Sequence, residues 1–249
     1  MTEAVLETLA LTKLFGGLAA VDQVGLELRR SELHAVIGPN GAGKSTLINL
    51  LSGDLKPTSG RIRFAGREVA GLSAHRMAQL GIGRSYQKTN ILRELSVLEN
   101  VRLAAQARHG RAGHLLRAAG RETALVEHAR AALHRVGLQH EAHSAGTLSH
   151  GGQRQLEIAM TLATDPAVLL LDEPLAGMGP EETLAMTGLL RQLAKDHAVL
   201  LVEHDMDVVF AVADRLTVMV NGRVLASGSP PEIRRNPAVR EAYLGEEAA

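Results

Sequence analysis

The sequence contains no cysteine. Disulfide bonds and thiolate metal sites are therefore excluded, which fits a reducing cytosol. Aromatic residues are scarce, since only three phenylalanines and two tyrosines occur and tryptophan is missing. This leaves little material for a surface on which nucleic-acid bases stack. A surplus of either charge is also lacking, because 27 basic residues balance 27 acidic ones. No overall field therefore attracts nucleic acid or anionic lipid.

Long apolar runs are absent too. No stretch of the sequence approaches the roughly 18 to 20 apolar residues that a membrane-spanning helix needs. Glu3, Glu7 and Lys13 interrupt the beginning of the chain, which does not fit a signal peptide. We therefore expect any membrane role to come through a partner. The 249 residues, 45% of them hydrophobic, suffice for one large domain or for one domain with an inserted lobe.

Strand and helix patterns alternate in the second half of the chain. Strands are predicted at "AVLLLD", "AVLLVE" and "RLTVMV", and helical periodicity over 181–195 and 206–213 separates them. This order indicates a mostly parallel sheet with helices on both faces. Residues 88–151 lack strand candidates and are rich in alanine, leucine, arginine and histidine. We interpret them as a helical lobe inserted into the α/β body.

A glycine-rich loop lies between a strand and a helix in "VIGPNGAGKSTLINL". The pattern G-x-x-x-x-G-K-[ST] is met by Gly38, Gly43, Lys44 and Ser45, and Thr46 adds a second hydroxyl. Glycines let consecutive backbone N–H groups surround an anion, and the following helix points its positive end at the same anion. The lysine can then reach the outer phosphates, while the serine hydroxyl takes Mg²⁺. The loop predicts binding of a nucleoside triphosphate rather than an ordinary turn with an incidental lysine.

Two carboxylates follow the buried strand in "AVLLLDEP". Ligands bind outside the carboxyl ends of parallel strands, so Asp172 could hold Mg²⁺ and Glu173 could polarise an attacking water. The next strand ends on His204, which could bond a γ-phosphate or this water, or could be a structural imidazole. Gln87, at the end of "IGRSYQ", could reach the metal or the water, although one glutamine has almost no specificity as a signal.

A second anion site is predicted in "LSHGG". We expect a helix to begin near Gly152, so Ser149 and Gly151 lie beside its free N–H groups. One chain needs only one phosphate cradle, and the second helix end therefore suggests a partner's nucleotide in a sandwich of two chains. The alternative is an ordinary serine N-cap, which we reject only because the other motifs occur with it.

These motifs make the chain resemble the ATP-binding subunit of an ABC transporter over nearly all its length. The segments "GPNGAGKST", "SYQKTN", "LSHGG", "LLLDEP" and "VEHD" occur in that family's order and at its spacings. The resemblance implies an α/β fold: a P-loop NTPase (RecA-like) core with a mostly parallel sheet, an N-terminal antiparallel β part and an inserted α-helical subdomain. It implies one domain over 1–249, in which 1–87 and 152–249 form the nucleotide-binding core and 88–151 the helical subdomain.

The same resemblance implies ATP and Mg²⁺ as cofactors and assigns roles to the motif residues. The implied catalytic residues are Glu173 as general base, His204 as switch histidine, Gln87 and Lys44. The implied metal ligands are Ser45, Gln87 and Asp172. The implied nucleotide contacts are Phe15, Gly38, Asn40, Gly41, Gly43, Lys44, Ser45, Thr46, Ser149 and Gly151. Phe15 would stack on adenine, and its alternative is a half-buried strand residue.

The resemblance also implies partners and a location. Integral membrane permease subunits would contact the helical subdomain and the segment after Gln87. A second ATPase chain, identical or related, would form a head-to-tail dimer, and an extracytoplasmic solute-binding protein would act indirectly. The implied location is the cytoplasmic face of the cell membrane, without nucleic acid.

Finer features resemble uptake ATPases for branched-chain and other hydrophobic amino acids. They are "KLFGGLAAVDQVGLEL", "SVLENV", "QLEIAM", "EHDMDVV" and the tail "SPPEIRRNPAVREAYLGE". The urea-uptake branch of this group fits "LSHG" and "AGM" about as well. A soluble ABC ATPase not tied to transport is a further alternative, although such proteins usually carry two cassettes or basic extensions. A small-molecule kinase or a GTPase would leave "LSHGG" unexplained.

Three residues depart from the family pattern. His150 and Gly152 occupy signature positions where glycine and glutamine are usual. Gly179 stands where an interface aspartate is usual, which puts one polar contact across the dimer in doubt and suggests a related, non-identical partner.

His140 and His143 could share a helix face, but no cysteine or carboxylate partner accompanies them. We interpret them as solvated helix residues.

Overall fold

A computed structural model describes residues 4–86, 90–109 and 118–241. In chain order, its strands are β1 (Ala4–Phe15), β2 (Leu18–Arg29), β3 (Leu33–Ile37), β4 (Ser59–Phe64), β5 (Arg67–Glu68), β6 (Ile82–Arg84), β7 (Val168–Asp172), β8 (Ala198–Val202), β9 (Arg215–Val220) and β10 (Arg223–Gly228). Its helices are α1 (Lys44–Leu51), α2 (Ala74–Leu80), α3 (Val97–His109), α4 (Ala118–Arg135), α5 (His150–Leu162), α6 (Pro180–Ala194), α7 (Met206–Val212), α8 (Pro230–Arg235) and α9 (Pro237–Val239). A single 3-10 turn at Ala145–Thr147 precedes α5.

The larger sheet has the strand order β10-β9-β3-β8-β7-β6. Its neighbouring strands run parallel except for β9 and β10, which form a hairpin. Every residue of β3, β7 and β8 is buried, because both faces of the sheet are covered. These strands therefore appear in the sequence as continuous apolar runs without alternation. The hairpin turn is Asn221–Gly222, both with positive φ, as an Asn-Gly type I′ turn requires.

The smaller sheet has the order β2-β1-β4-β5 and is antiparallel throughout. Helix α1 contributes Leu47, Ile48 and Leu51 to an apolar cluster that also contains residues of both sheets. A second cluster joins the larger sheet to buried residues of α3, α4, α5, α6 and α7. Because α1 is buried against both sheets, the loop that precedes it is fixed relative to each of them.

This architecture confirms the predicted fold class, an α/β core with a mostly parallel sheet and an N-terminal antiparallel part. Helix α5, predicted to begin near Gly152, begins at His150. The side chain of Ser149 accepts a hydrogen bond from the Gly152 N–H and caps the helix earlier than expected. Within 88–151, the described residues hold α3, α4, the 3-10 turn and an isolated bridge between Ser96 and Ser144. The division into core and subdomain stays a prediction.

Candidate nucleotide-binding site

The glycine-rich loop connects β3 to α1 at the carboxyl end of the parallel strands. Gly43 has φ +99°, and a Cβ at this position would overlap the carbonyl oxygen of Ala20 in β2. A Cβ on Gly38 would likewise overlap the carbonyl oxygen of Met219 in β9. Glycine is therefore required at both positions, because the loop backbone lies directly against two neighbouring strands.

The β9–β10 turn holds this loop from outside. The Gly222 N–H donates to the carbonyl of Ala42 at 3.0 Å, and the Asp22 N–H donates to the carbonyl of Gly222 at 2.8 Å. The same turn thus contacts the phosphate loop and β2. The loop, the hairpin and the antiparallel sheet are joined by backbone hydrogen bonds.

Lys44 is the first residue of α1 and is 8% exposed. Its Nζ donates to the carbonyl oxygens of Gly38 at 2.6 Å and Pro39 at 3.0 Å. Burial lowers the pKa of Lys44 from its ordinary value, while the negative charges of Glu173 and Asp172 act in the opposite direction. The ammonium group is therefore desolvated and directed into its own loop, where an anion would gain from it.

A cleft of about 560 Å³ lies in front of the loop. Its lining residues are Leu18, Ala19, Ala20, Asn40, Gly41, Ala42, Gly43, Lys44, Ser45, Thr46, Glu173 and Asn221. The structure thus brings the loop residues and Glu173 together around one cavity. Asp172, His204 and Phe15 do not line it.

Glu173 follows β7 in an uncommon backbone conformation. Its φ is +47°, in the left-handed region that few non-glycine residues adopt. Its N–H donates to the carbonyl of Val202 in β8 at 2.9 Å, so the turn is tied to the neighbouring strand. This turn directs the side chain of Glu173 into the cleft while Asp172 stays in the sheet.

Asp172 is 4% exposed and is paired with an arginine that the sequence analysis missed. Arg84 Nη2 lies 3.3 Å from Asp172 Oδ2, and Arg84 Nη1 lies 2.6 Å from Asp54 Oδ2. Arg84 also donates to Ser52 Oγ at 2.8 Å and stacks over the Tyr86 ring at 4.7 Å. Burial raises the pKa of Asp172, and the charge of Arg84 opposes that shift.

The Ser149 region holds a negative charge supplied by the chain itself. Ser149 Oγ accepts from the Gly152 N–H at 3.1 Å and donates to Glu182 Oε1 at 2.9 Å. A Cβ on Gly151 would overlap this carboxylate, so glycine makes room for it. Ser149, Gly151 and Glu182 line a second cavity of about 290 Å³. The end of α5 therefore binds a carboxylate, which agrees with an anion-binding role and with an ordinary N-cap alike.

Other predicted site residues that the structure describes do not line the cleft. Phe15 ends β1 with 49% of its surface exposed, and Lys13 Nζ lies 5.2 Å from its ring centroid. His204 follows β8 with a side chain that is 63% exposed. Gly179 directly precedes α6. Gln87 lies outside the described residues.

The loop and its surroundings fit Mg²⁺–ATP. No group of three or more His, Asp or Glu side chains that could hold a metal ion is found in 4–86, 90–109 and 118–241. Magnesium at nucleotide sites usually takes only one or two protein ligands and completes its shell with phosphates and water. Ser45 lines the cleft and can supply one such ligand, whereas the carboxylate of Asp172 is paired with Arg84 and would have to be released to supply another. Glycine at Gly38 and Gly43 lets the loop backbone lie close against the neighbouring strands, and the buried Lys44 supplies positive charge.

Sequence reasoning missed Arg84 and Glu182. It also missed Glu203, which is 1% exposed and accepts a hydrogen bond from the Leu175 N–H at 2.9 Å. Glu203 follows the apolar run of β8 as Asp172 ends that of β7, so the signal that identified Asp172 could have identified Glu203 too. Arg84 ends the short strand β6, which was not predicted. Glu182 is an ordinary acidic residue in the first turn of a helix and gave no distinguishing signal.

Comparison with known proteins identifies the class. Residues 21–176 match the family described as "ABC transporter", which is more than half of the chain. The chain therefore belongs to the ABC transporter family, as an ATP-binding subunit that hydrolyses ATP. Residues 223–249 match a second family, described as "Branched-chain amino acid ATP-binding cassette transporter". The predicted resemblance to that group is confirmed.

Similar curated proteins cover the chain almost completely. The high-affinity branched-chain amino acid transport ATP-binding protein BraF of Pseudomonas aeruginosa is 42% identical, covering 99% of this chain and 100% of BraF. The protein LivG of Escherichia coli, described in the same words, is 40% identical with the same coverage.

Solved structures agree with this fold. A nucleotide-free ATP-binding cassette from an ABC transporter superposes with a TM-score of 0.85 at 31% identity, covering 97% of this chain and 99% of that one. An ATP-binding cassette in its ADP conformation superposes with a TM-score of 0.84 at 31% identity, covering 98% and 100%. Among the described residues of the present chain, no helix combines the length and apolarity needed to cross a membrane.

Proposed function

We propose that this chain powers an importer of branched-chain or other hydrophobic amino acids from the cytoplasmic face of the cell membrane. The observation that carries the proposal is the single cleft lined by Lys44, Ser45, Thr46 and Glu173. The substrate class is supported by relatives of about 40% identity that are described as branched-chain amino acid transport proteins. It is also supported by the match of residues 223–249.

The loop residues bind the triphosphate in this proposal. Backbone N–H groups between Asn40 and Thr46 surround the phosphates, and Lys44 turns from its own carbonyls to the outer phosphate. Ser45 and Asp172 hold Mg²⁺, with Gln87 as a further ligand. When bound, the metal neutralises phosphate charge and orients the triphosphate. Phe15 stacks on the adenine ring from the end of β1.

Glu173 acts as the general base in hydrolysis. Its carboxylate takes a proton from the attacking water, whose oxygen bonds to the γ-phosphorus. The bond from the γ-phosphorus to the β–γ bridging oxygen breaks, and the electron pair remains on ADP. His204 donates a hydrogen bond to the γ-phosphate from the neighbouring strand end. The left-handed turn at Glu173 supports this role, because it directs the carboxylate into the cleft.

A second cassette completes the site. We place the γ-phosphate of a partner chain at Ser149 and Gly151, in a head-to-tail dimer of identical or related chains. The support is the carboxylate of Glu182, which accepts a hydrogen bond from the Ser149 hydroxyl at this helix end. That carboxylate must leave when a phosphate arrives, since two negative charges would repel each other.

The membrane partners contact another part of the chain. Residues 88–151 form the helical subdomain of the single domain 1–249, and with the segment after Gln87 they bind the permease subunits. An extracytoplasmic binding protein delivers the solute to those permeases and does not touch this chain. Nucleic acid has no role in this scheme.

The variants Glu173→Gln and Lys44→Ala test the proposal. Glu173→Gln should bind ATP with wild-type affinity while turnover falls about 10²- to 10⁴-fold, as expected for loss of a general base. Lys44→Ala should lose nucleotide affinity. Glu27→Gln, an exposed change on β2, is the control and should preserve both quantities. A normal ATPase rate in Glu173→Gln would refute the assignment of the base.

The same Glu173→Gln chain tests the dimer and the substrate. With ATP, small-angle scattering should show a dimer, and a monomer that encloses its nucleotide would contradict the sandwich. Reconstituted with its permeases and binding protein, the wild-type chain should drive ATP-dependent uptake of leucine. Uptake of urea without leucine would instead identify the other branch of the group.

A further inference from the structure

Glu203 is a buried carboxylate between the two strand ends that carry the proposed catalytic groups. It directly follows β8 and is 1% exposed. An ionised side chain so deeply buried is costly unless hydrogen bonds compensate it. Its partners therefore indicate what the residue does.

Both carboxylate oxygens accept hydrogen bonds from backbone N–H groups, and the two donors belong to different segments. Leu175 N–H donates to Oε1 at 2.9 Å, and His204 N–H donates to Oε2 at 3.1 Å. Leu175 lies two residues after Glu173, on the segment that leaves β7. His204 is the proposed switch histidine. One side chain thus fastens the segment of the base to the segment of the histidine.

The turn that Glu203 fastens is the one that needs support. Glu173 adopts φ +47°, a conformation that costs a non-glycine residue on the order of 1 kcal/mol or more. Within the turn, the Ala176 N–H donates to the Glu173 carbonyl at 3.2 Å. Two further hydrogen bonds tie the turn to the neighbouring strand, one from Glu173 N–H to the Val202 carbonyl and one from Leu175 N–H to Glu203. Both acceptors lie at the end of β8, so this strand end determines where the Glu173 carboxylate points.

We propose that Glu203 is a positioning residue, which holds Glu173 and His204 in one geometry for attack on the γ-phosphate. This inference rests on the proposed function, because it takes Glu173 as the base. Glu203 does not touch the nucleotide in this arrangement. It acts through the backbone N–H groups of Leu175 and His204 and through the His204 ring, whose Nδ1 lies 3.6 Å from Glu203 Oε2.

The variant Glu203→Gln tests the proposal. An amide of nearly the same shape keeps one acceptor oxygen but turns an NH₂ group toward a second N–H donor, so one hydrogen bond is lost. We expect kcat to fall roughly ten- to hundredfold while KM and the affinity for ATP change less than about twofold. In the nucleotide-free chain, amide hydrogen exchange at Leu175 or His204 should become faster.

Asp214→Asn is the matched control. Asp214 Oδ2 accepts the Leu33 N–H at 2.8 Å, so it too joins two segments, but at the opposite end of β3 from the phosphate loop. This variant should retain wild-type kcat and wild-type exchange at Leu175 and His204. Glu203→Asp keeps the charge but shortens the side chain, and it serves as the second variant if Glu203→Gln fails to fold. It should also lower kcat and leave KM unchanged.

The outcomes separate this inference from the proposed function. A kcat in the Glu203 variants within twofold of Asp214→Asn would overturn the positioning role, as would a parallel loss of ATP affinity. Unchanged exchange at both amides would overturn it as well, whatever the ATPase rate. Normal turnover in Glu173→Gln would instead reject the base, and the exchange data would still report whether Glu203 holds the turn.

Discussion

The imidazole of His34 should make the stability of this protein depend on pH. His34 lies in β3, the strand that leads into the phosphate loop, and is 1% exposed. Its Nδ1 donates to the Glu27 carbonyl at 3.1 Å, and its Nε2 lies 2.8 Å from Thr217 Oγ1. The neutral ring satisfies both contacts, with Nε2 accepting from the threonine hydroxyl. Burial lowers the pKa of His34 from 6.5 to about 4.

The lowered pKa of His34 determines how the stability of the protein changes with pH. The unfolded chain binds a proton at His34 below pH 6.5, whereas the folded chain binds it only near pH 4. Stability from this residue is therefore complete above the unfolded pKa and is lost as the pH falls toward the folded pKa. Between about pH 7.5 and about pH 5 the loss is about 2 kcal/mol, and it approaches about 3 kcal/mol below the folded pKa.

Urea denaturation of the nucleotide-free chain at several pH values measures this loss. The free energy of unfolding of His34→Gln should fall about 2 kcal/mol less than that of the wild type between about pH 7.5 and about pH 5. His75→Gln, which removes an exposed histidine on α2, is the control and should keep the wild-type slope. The buried His197, whose pKa burial also lowers, is present in all three chains and cancels in the comparison. Equal slopes in wild type and His34→Gln would refute the reasoning.

Two further changes test the contacts around the loop. Gly43→Ala should destabilise the fold by at least about 2 kcal/mol in thermal unfolding and abolish nucleotide binding, because its Cβ would overlap the Ala20 carbonyl and its φ is strained. Gly188→Ala, with open space around the new methyl group, should be neutral or stabilising, and an equal loss there would argue against a specific clash. Arg84→Gln should cost about 3 kcal/mol in urea denaturation by leaving the buried Asp172 without its cation. Adding Asp172→Asn to it should recover part of that loss, and strict additivity of the two changes would contradict a direct pair.

Local patterns predicted the elements of this fold well where burial is uniform or periodic. The strands β7 and β8 were predicted as apolar runs, and β3 was predicted as the strand before the glycine-rich loop. The short strand β6 was not predicted, because three residues with a glycine in the middle form no recognisable pattern. Its place at the sheet edge beside β7 depends on pairing across the whole chain.

The residues of the site likewise fall into those that a local pattern predicted and those that were missed. Contiguous motifs identified Lys44 and Glu173, since one loop and one strand end supply their geometry. Arg84 was missed because its partner Asp172 lies 88 positions away, whereas Glu203 follows an apolar run and was overlooked; only its contact with Leu175, 28 positions away, has no local signal. The ion pair of Arg84 with Asp172 and the hydrogen bond from Leu175 N–H to Glu203 form only in the packed sheet. Sequence order contains no trace of them.

The turn at Gly222 is hydrogen-bonded to both Ala42 in the phosphate loop and Asp22 in β2. The phosphate loop therefore lies where the two sheets are connected. The two sheets cannot separate here unless these hydrogen bonds break first. A nucleotide seated there would consequently protect the distant antiparallel strands from heat and proteases as well as the strands it touches. The free energy of unfolding would increase with the logarithm of the nucleotide concentration.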